Sequence, residues 1–367
     1  MSRTPSGGGT GEGGGGGLRR VLAVNAGSTS LKLSLVVDDG SGARSVAEAG
    51  DLAEVLAGPP PDAVVHRVVH GGDRTRAALV DDAVVRELRG LTELAPLHQP
   101  PALDALDRTR GAWPGLPQVV CFDTAFHATM PPAATTYALP ERLRDRVRVH
   151  GFHGLSHAWS SGVALRVVPA ARRVLVAHLG GGASLCAVLD GVSVDTTMGF
   201  TPLDGLVMAT RSGSIDPGAV LWLARHTDED VLAVLGEQSG LLGLCGTGDM
   251  REVLGRRSAG DEAAALAFQV YLHRLVAAAG AMVAALGGLD VLVLTGGVGE
   301  HGTEVWHALA DRLGWLGVRI AADLPAGPGP DGVVDLTADG AAVRTLVVHA
   351  REDLQLAAEA RALLTGG

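Results

Sequence analysis

The chain has 367 residues, 47% of them hydrophobic but only 3% aromatic, and a formal net charge of −10. That length suits two domains of ordinary size with aliphatic cores, and the acidic balance argues against a nucleic-acid surface. Cys121, Cys186 and Cys245 are odd in number and widely spaced, which makes neither a disulfide framework nor a zinc spacing.

Residues 1–17 are Gly-rich and carry no apolar run after the methionine, so they read as a disordered tail and not as a targeting peptide. Residues 18–24 and 31–37 are β-type apolar runs flanking a Gly/Ser turn, a hairpin with a polar tip. Residues 63–69 read as a short strand. Residues 81–94 read as a helix, with Val84, Val85, Leu88 and Leu91 at helical spacing. Residues 118–122 form a buried type of strand ending at Asp123. The pattern then starts again: a strand at 173–178, the turn Gly180-Gly181-Gly182, and a strand at 183–189 closing at Asp190-Gly191. A later strand at 290–294 runs into Thr295-Gly-Gly-Val-Gly-Glu300. Ala/Leu-rich stretches at 217–236, 261–286 and 352–365 read as helices. No uninterrupted apolar run of about 18 residues appears; 275–295 is interrupted by Gly280, Gly287, Gly288 and Asp290. The expectation is a soluble cytoplasmic protein without a membrane partner.

Two halves that each begin with a hairpin suggest a duplicated α/β architecture with a ligand cleft between them. The final helix is expected to return onto the first half.

Asn25 and Lys32 are the sole asparagine and the sole lysine of the chain, and all 29 other basic residues are arginine. Composition has drifted from Lys to Arg wherever the exchange is harmless, so a compact ammonium and a carboxamide are needed in this one segment. The turns at Gly27, Gly180–Gly182 and Gly296–Gly299 each follow a strand, where backbone N–H groups without a Cβ in the way can surround phosphate. None of them is a Walker or dinucleotide fingerprint. Histidines recur beside or close to glycine at His70, His153 and His178. Imidazole donation to phosphoryl oxygen suits them better than zinc, for which no ligand spacing exists. Arg211 lies in a loop-like segment rich in turn formers where a planar guanidinium can clamp carboxylate or phosphoryl oxygen, and Arg67 lies among the histidines of His66-Arg-Val-Val-His-Gly-Gly72.

Eight segments now resemble the acetate kinase (acetokinase) family. They are Asn25-Ala-Gly-Ser-Thr-Ser-Leu-Lys32, His66-Arg-Val-Val-His-Gly-Gly72, Leu94-Ala-Pro-Leu-His-Gln-Pro-Pro101, Phe122-Asp-Thr-Ala-Phe-His-Ala-Thr-Met-Pro131, Gly151-Phe-His-Gly-Leu-Ser-His157, Thr197-Met-Gly-Phe-Thr-Pro-Leu203, Thr210-Arg-Ser-Gly-Ser-Ile-Asp-Pro217 and Thr295-Gly-Gly-Val-Gly-Glu300. They occur in family order and span residues 21 to about 357. The resemblance implies the duplicated two-domain sugar kinase/Hsp70/actin (ribonuclease H-like) fold, a homodimer, and Mg-dependent phosphoryl transfer between ATP and acetate, giving ADP and acetyl phosphate reversibly. Mn²⁺ is an alternative ion. It also implies domains at 18–123 and 124–350, the second binding nucleotide, with 351–367 as the returning helix.

Residue by residue, the resemblance puts Asn25 and Glu352 at the metal, and Ser28, Ser30 and Lys32 by the phosphates. Arg67 and Arg211 bind the carboxylate and neutralise the transferring group. Asp123 orients the nucleophile or its partners. His153 donates to the phosphoryl oxygens, with His98 and His178 nearby. Val69, Leu97, Phe152 and Pro202 form the acyl pocket. His178, Gly180, Gly181 and Gly182 line the second phosphate loop. Asp249, Met250 and Arg251 face the nucleotide with Gly296, Gly297, Val298 and Gly299. Replacing Arg67 or Arg211 by alanine is expected to lower the rate about 10²–10³-fold each without unfolding.

Against the family pattern, Gly181 and His301 stand where asparagine is usual, 245–251 is one residue short, and Arg351-Glu352-Asp353 replaces Asn-Glu-Glu. The stretch between Lys32 and His66 is also short. These departures touch the phosphate-donor side and leave the acyl side whole. Pyrophosphate as donor, propionate as acceptor, and a non-catalytic acyl phosphate or nucleotide sensor are the alternatives.

Overall fold

The computed structural model describes residues 18–27, 31–40, 42–96, 98–144, 146–324 and 332–366. Among them are two six-stranded sheets. The first contains β1 (Arg20–Ala26), β2 (Leu31–Asp38), β3 (Ala43–Ala49), β4 (Ala63–Val68), β5 (Ala78–Leu79) and β6 (Gln118–Phe122), in the order β3-β2-β1-β4-β6-β5. The second contains β7 (Arg173–Leu179), β8 (Ala183–Leu189), β9 (Val192–Thr196), β10 (Val291–Thr295), β11 (Val333–Asp335) and β12 (Arg344–Val348), in the order β11-β12-β10-β7-β8-β9. Each sheet is an antiparallel three-strand meander continued by two parallel strands, with a short antiparallel strand at the far edge.

The expected duplication is therefore present strand for strand, and it extends to single hydrogen bonds. Asp62, just before β4, accepts through Oδ2 from the amides of Arg19 and Arg20 at 2.8 Å each. Asp290, just before β10, accepts from the amides of Arg172 and Arg173 at 2.9 and 2.8 Å. One carboxylate thus registers the first and fourth strands of each half. The central strands are buried along nearly their whole length (β6 and β10 throughout) because helices cover both faces.

The principal helices are α1 (Asp82–Gly90), α2 (Gln99–Ala112), α3 (Gly154–Val167), α4 (Pro217–His226), α5 (Val231–Glu237), α6 (Met250–Ser258), α7 (Glu262–Leu286), α8 (Gly296–His301) and α9 (Glu352–Thr365). Two of them are exchanged between the halves. Helix α3 follows the first sheet but packs Val163 and Ala164 against β7, β8 and β10 of the second. Helix α9 follows the second sheet but packs Leu356, Ala357 and Ala360 against Val21, Ala23, Val65 and Val119 of the first. The two also touch each other, so the wall between the sheets is made from both halves.

Some elements differ from the sequence reading. The helix expected over 217–236 is two, because Thr227 is extended and Asp230 caps a new start by accepting from Leu232 N. The helix expected over 81–94 ends at Gly90 and continues only as a 3₁₀ turn. Helices α2 and α3 and the strands β3 and β9 were not anticipated. Helix α3 is buried on several sides and lacks an amphipathic stripe, while β3 is a largely exposed edge. Helix α7 is long and apolar enough to cross a membrane by length and composition, but its Phe268, Tyr271, Leu275 and Ala279 sit in the core of the second half.

Candidate active site

Between the two sheets lies a cavity of about 850 Å³. Asn25, Lys32 and Arg67 enter it from the first half. His153, His178, Gly180, Gly181, Gly296 and Gly297 enter from the second, and Glu352 from α9. Asn25 and Lys32 are directly opposite partners across the β1–β2 hairpin. The only carboxamide of its kind and the only ammonium are thus placed side by side by strand register.

A continuous polar chain runs along the first half. Arg67, at the end of β4, donates to both carboxylate oxygens of Asp123 through Nε (2.9 and 3.1 Å) and through Nη2 (2.5 Å). Its Nη1 donates to Asn25 Oδ1 at 3.0 Å. Asn25 in turn donates from Nδ2 to Glu352 Oε2 at 2.7 Å. Burial works against the Arg67 charge, but Asp123 and Glu352 outweigh it and hold the guanidinium above its ordinary value. Burial pushes the Asp123 carboxyl up while Arg67 pulls it back. Asp123 is 1% exposed and braces Arg67 in a bidentate pair.

Arg211 is different. It is half-buried, and burial followed by the nearby Arg67 lowers its pKa. Its contacts are Nη1 to Pro202 O at 3.3 Å, Nη1 to Met208 Sδ at 3.8 Å and Nη2 to His98 Nε2 at 3.1 Å. None of the ion pairs among the described residues involves it. A guanidinium only donates, so His98 accepts on Nε2 and carries its proton on Nδ1. Burial, then Arg211 and Arg67, depress the His98 pKa to about 4, so the ring is neutral.

The two reactive groups of the second half converge on one turn. A Cβ added at Gly182 would meet His153 Nε2 at 3.2 Å and Arg211 Nη1 at 3.7 Å. His153 has φ = 58° at the N-terminus of α3, a left-handed conformation that carries strain for a non-glycine residue. Burial, then His178, Arg67, His157 and Arg211, push its pKa well below the ordinary value. His178, whose pKa burial also lowers, lies with its ring 4.4 Å from that of His153 and hydrogen-bonds Ser156 Oγ through Nδ1 at 2.8 Å.

The glycine turn after β10 opens as helix α8. Gly296 has φ = +78°, and an added Cβ would lie 2.8 Å from Leu179 O, so no other residue fits without displacement. Glu300 closes this turn onto the end of β12: its Oε1 accepts from Gly296 N and Ala350 N, and its Oε2 contacts His349 Nδ1. Val298 packs against the core and Gly299 is buried, so of this turn Gly296 and Gly297 line the cavity with Glu300 and His301.

Val69 and Phe152 are buried in one cluster of the core, and Pro202 offers its carbonyl to Arg211. Ser28, Ser30 and Leu97 lie outside the described residues. Asp249, Met250 and Arg251 are not brought to the cavity. Asp249 caps α6 and pairs with Arg251, whose side chain is 90% exposed, while Met250 is buried in the core. A segment that reads as a loop is held by its own cap and by packing. Sequence reasoning missed Ser156 and Ser184 and gave His157 no role. Ser184 was within reach, because the β7–β8 hairpin makes it the cross-strand partner of His178.

A duplicated α/β fold whose cleft is lined by glycine turns, the Arg67 guanidinium, the Lys32 ammonium and the Glu352 carboxylate, with the half-buried Arg211 close to His153 at Gly182, fits the class of phosphoryl-transfer enzymes. The acetokinase family profile matches residues 60–358. The acetate kinase of Micrococcus luteus is 41% identical over 92% of this chain and 97% of its own, and that of Streptomyces coelicolor is 41% identical over 95% and 88%. Among solved structures, the acetate kinase of Porphyromonas gingivalis has 30% identity and a TM-score of 0.79 over 94% of this chain and 100% of its own. A propionate kinase from Francisella tularensis has 31% identity and a TM-score of 0.80 over 93% and 98%. The chain belongs to the acetokinase family and is an enzyme of the kinase class.

Proposed function

We propose that this enzyme transfers the terminal phosphoryl group of ATP directly to the carboxylate of acetate, giving acetyl phosphate and ADP, and runs the reverse reaction. The observation that carries this reading is the convergence of His153 Nε2 and Arg211 Nη1 at Gly182, beside an Arg67 already fixed by Asp123. A carboxylate is anionic at neutral pH, so no general base is required. The barrier is the approach of two anions, which positioned cations lower.

Among the described residues Arg211 has no carboxylate partner, and a half-buried cation without one gains from an anionic ligand. It accepts the acyl carboxylate or the phosphoryl oxygens as its counter-charge. Arg67 keeps one N–H on each terminal nitrogen beyond those given to Asp123 and Asn25, and contributes fixed positive charge. His153 donates to the oxygens that gain charge in flight. Lys32 and the amides at Gly180, Gly181, Gly296 and Gly297 meet the nucleotide phosphates. Val69, Phe152, Pro202 and Leu97 contact the acyl methyl.

The donor set also fits Mg²⁺, which is commonly held by one or two carboxylates, waters and substrate phosphates and not by a protein cage. Glu352 supplies the carboxylate and Asn25 the carboxamide oxygen, and no cluster of three acidic, His or Cys ligands exists among the described residues. The ion, when bound, neutralises phosphate charge. Propionate is the second acceptor reading, favoured by the likeness to a propionate kinase.

A homodimer is part of the proposal. Helix α4 buries none of its residues, and Leu221, Trp222 and Leu232 are 57%, 59% and 56% exposed on α4 and the adjoining α5, an apolar face that marks an interface.

The test is hydroxylamine-trapped acyl phosphate formation by purified protein with Mg²⁺ and acetate, with ATP in one reaction and pyrophosphate in the other, repeated with propionate. Product with ATP and acetate supports the proposal. Product with pyrophosphate alone replaces the donor. Ligand binding without turnover in any reaction replaces the enzyme with a sensor.

A further inference from the structure

One serine hydroxyl sits between two imidazoles beside the reaction centre. Ser184 Oγ lies 3.0 Å from His153 Nδ1 and 2.7 Å from His157 Nε2. Ser184 and His157 are fully buried. His153 and His157 are one helical turn apart, joined by the His157 N to His153 O hydrogen bond at the start of α3, and Ser184 projects from β8.

The hydroxyl has a single proton and, among the described residues, no acceptor other than these two rings; if both rings donated to its oxygen, that buried O–H would be left unpaired, so it donates to one ring and accepts from the other. A neutral imidazole has one N–H and one lone pair. If Ser184 donates to His157 Nε2, His153 must carry its proton on Nδ1, and its Nε2 lone pair then faces the cleft where phosphoryl oxygens gather. The same arrangement leaves His157 with an N–H on Nδ1, an atom that is buried with no partner among the described residues. Orphaned buried N–H donors are rare because nothing replaces their lost hydration. In the opposite arrangement His157 Nε2–H donates to Ser184, Ser184 donates to His153 Nδ1, and His153 presents Nε2–H to the cleft. The unpartnered atom is then only a lone pair.

We propose that Ser184 and His157 are positioning residues that lock His153 as the neutral Nε2–H tautomer, so that His153 stabilises the transferring phosphoryl group as an uncharged donor. The idea rests on the reading that His153 faces that group, but the tautomer itself does not. The groups around the ring agree with it: His178 from β7, His157 from its own helix, Arg67 from β4 and Arg211 from its loop supply no carboxylate to stabilise an imidazolium.

Long-range ¹H–¹⁵N correlation spectra of histidine-labelled enzyme, assigned with His153→Gln, read the tautomer without turnover. The expected result is His153 protonated on Nε2 and bare on Nδ1. A proton on Nδ1 in the native enzyme overturns the proposal. In Ser184→Ala the lock is lost, and kcat is expected to fall about 10–100-fold with KM for both substrates nearly unchanged. Ser184→Thr restores the hydroxyl and the rate, and His157→Gln, which keeps a donor, retains more activity than His157→Leu. Wild-type kcat in a folded Ser184→Ala overturns the proposal. Should Ser184→Ala fail to fold, the Gln and Leu variants decide: equal rates overturn it. Undiminished activity in His153→Gln sinks the reading that His153 faces the phosphoryl group, and with it the catalytic half of this proposal. The tautomer spectrum still judges the lock.

Discussion

Asn25 donates from Nδ2 to Glu352 Oε2 at 2.7 Å, joining the first strand to the last helix across 327 positions of sequence. The same carboxamide accepts from Arg67 through Oδ1 at 3.0 Å. Its amide orientation is therefore fixed from both sides, and Glu352 is held at the cleft by the return of α9. Replacing Glu352 with Gln keeps an acceptor for Asn25 but removes the charge. The Mg²⁺ concentration for half-maximal activity is expected to rise about 10-fold, with KM for acetate little changed. Metal titrations of initial rate check this, and an unchanged titration would remove Glu352 from the metal.

Arg67 and Arg211 are expected to separate in stability although they agree in activity. Either alanine variant should lose about 10²–10³ in kcat. Arg67→Ala leaves Asp123 buried and unpaired, which costs about 3–5 kcal/mol. The structure thus adds a stability cost to a variant that the sequence reading expected only to remain folded. Arg211→Ala removes a cation with no carboxylate partner, so its stability should stay within about 1 kcal/mol of the parent. Denaturant unfolding of both variants checks the contrast, and equal midpoints contradict it.

Acid should destabilise the protein from the histidine side. Burial depresses the pKa of His66 to about 4, against a weaker opposing hydrogen bond from Gln118, and burial likewise takes His127 to about 4. The unfolded chain takes up these protons near the ordinary value of 6.5 and the folded chain does not. Stability is fully present above that value, falls as pH drops toward 4, and the loss then levels off for these groups. Each such histidine contributes up to about 1.4 kcal/mol per pH unit within the window. Urea midpoints at about pH 7.5 and about pH 5 read this, and a flat profile argues against buried neutral rings.

Gly296→Ala meets two obstacles, a φ of +78° and a Cβ 2.8 Å from Leu179 O. A cost of about 1–3 kcal/mol is expected. Because the same turn lines the cleft, KM for ATP should rise while KM for acetate does not. A thermal melt and a two-substrate kinetic grid test both parts.

Leu221→Arg on α4 should convert a dimer to a monomer, read as halved mass in light scattering after gel filtration. A parent already monomeric at micromolar concentration contradicts the proposed interface.

The duplicated α/β architecture, and the residue types gathered at the candidate site, were legible in the chain before folding was considered. Hairpins built from near-continuous apolar runs, repeated after residue 170, are local patterns, and local patterns survive without tertiary information. The sole asparagine and sole lysine pointed to the same place, because strand register makes Asn25 and Lys32 neighbours. Only the tertiary structure decided which groups are free to act. It showed Arg67 occupied by Asp123 and Arg211 unpaired, a difference between two arginines that no local pattern encodes. It brought Glu352 to Asn25, removed Asp249, Met250 and Arg251 from the cavity, and placed Ser184 between two imidazoles. Each of these outcomes depends on contacts between segments far apart in the chain, whose geometry is set by sheet order and helix exchange.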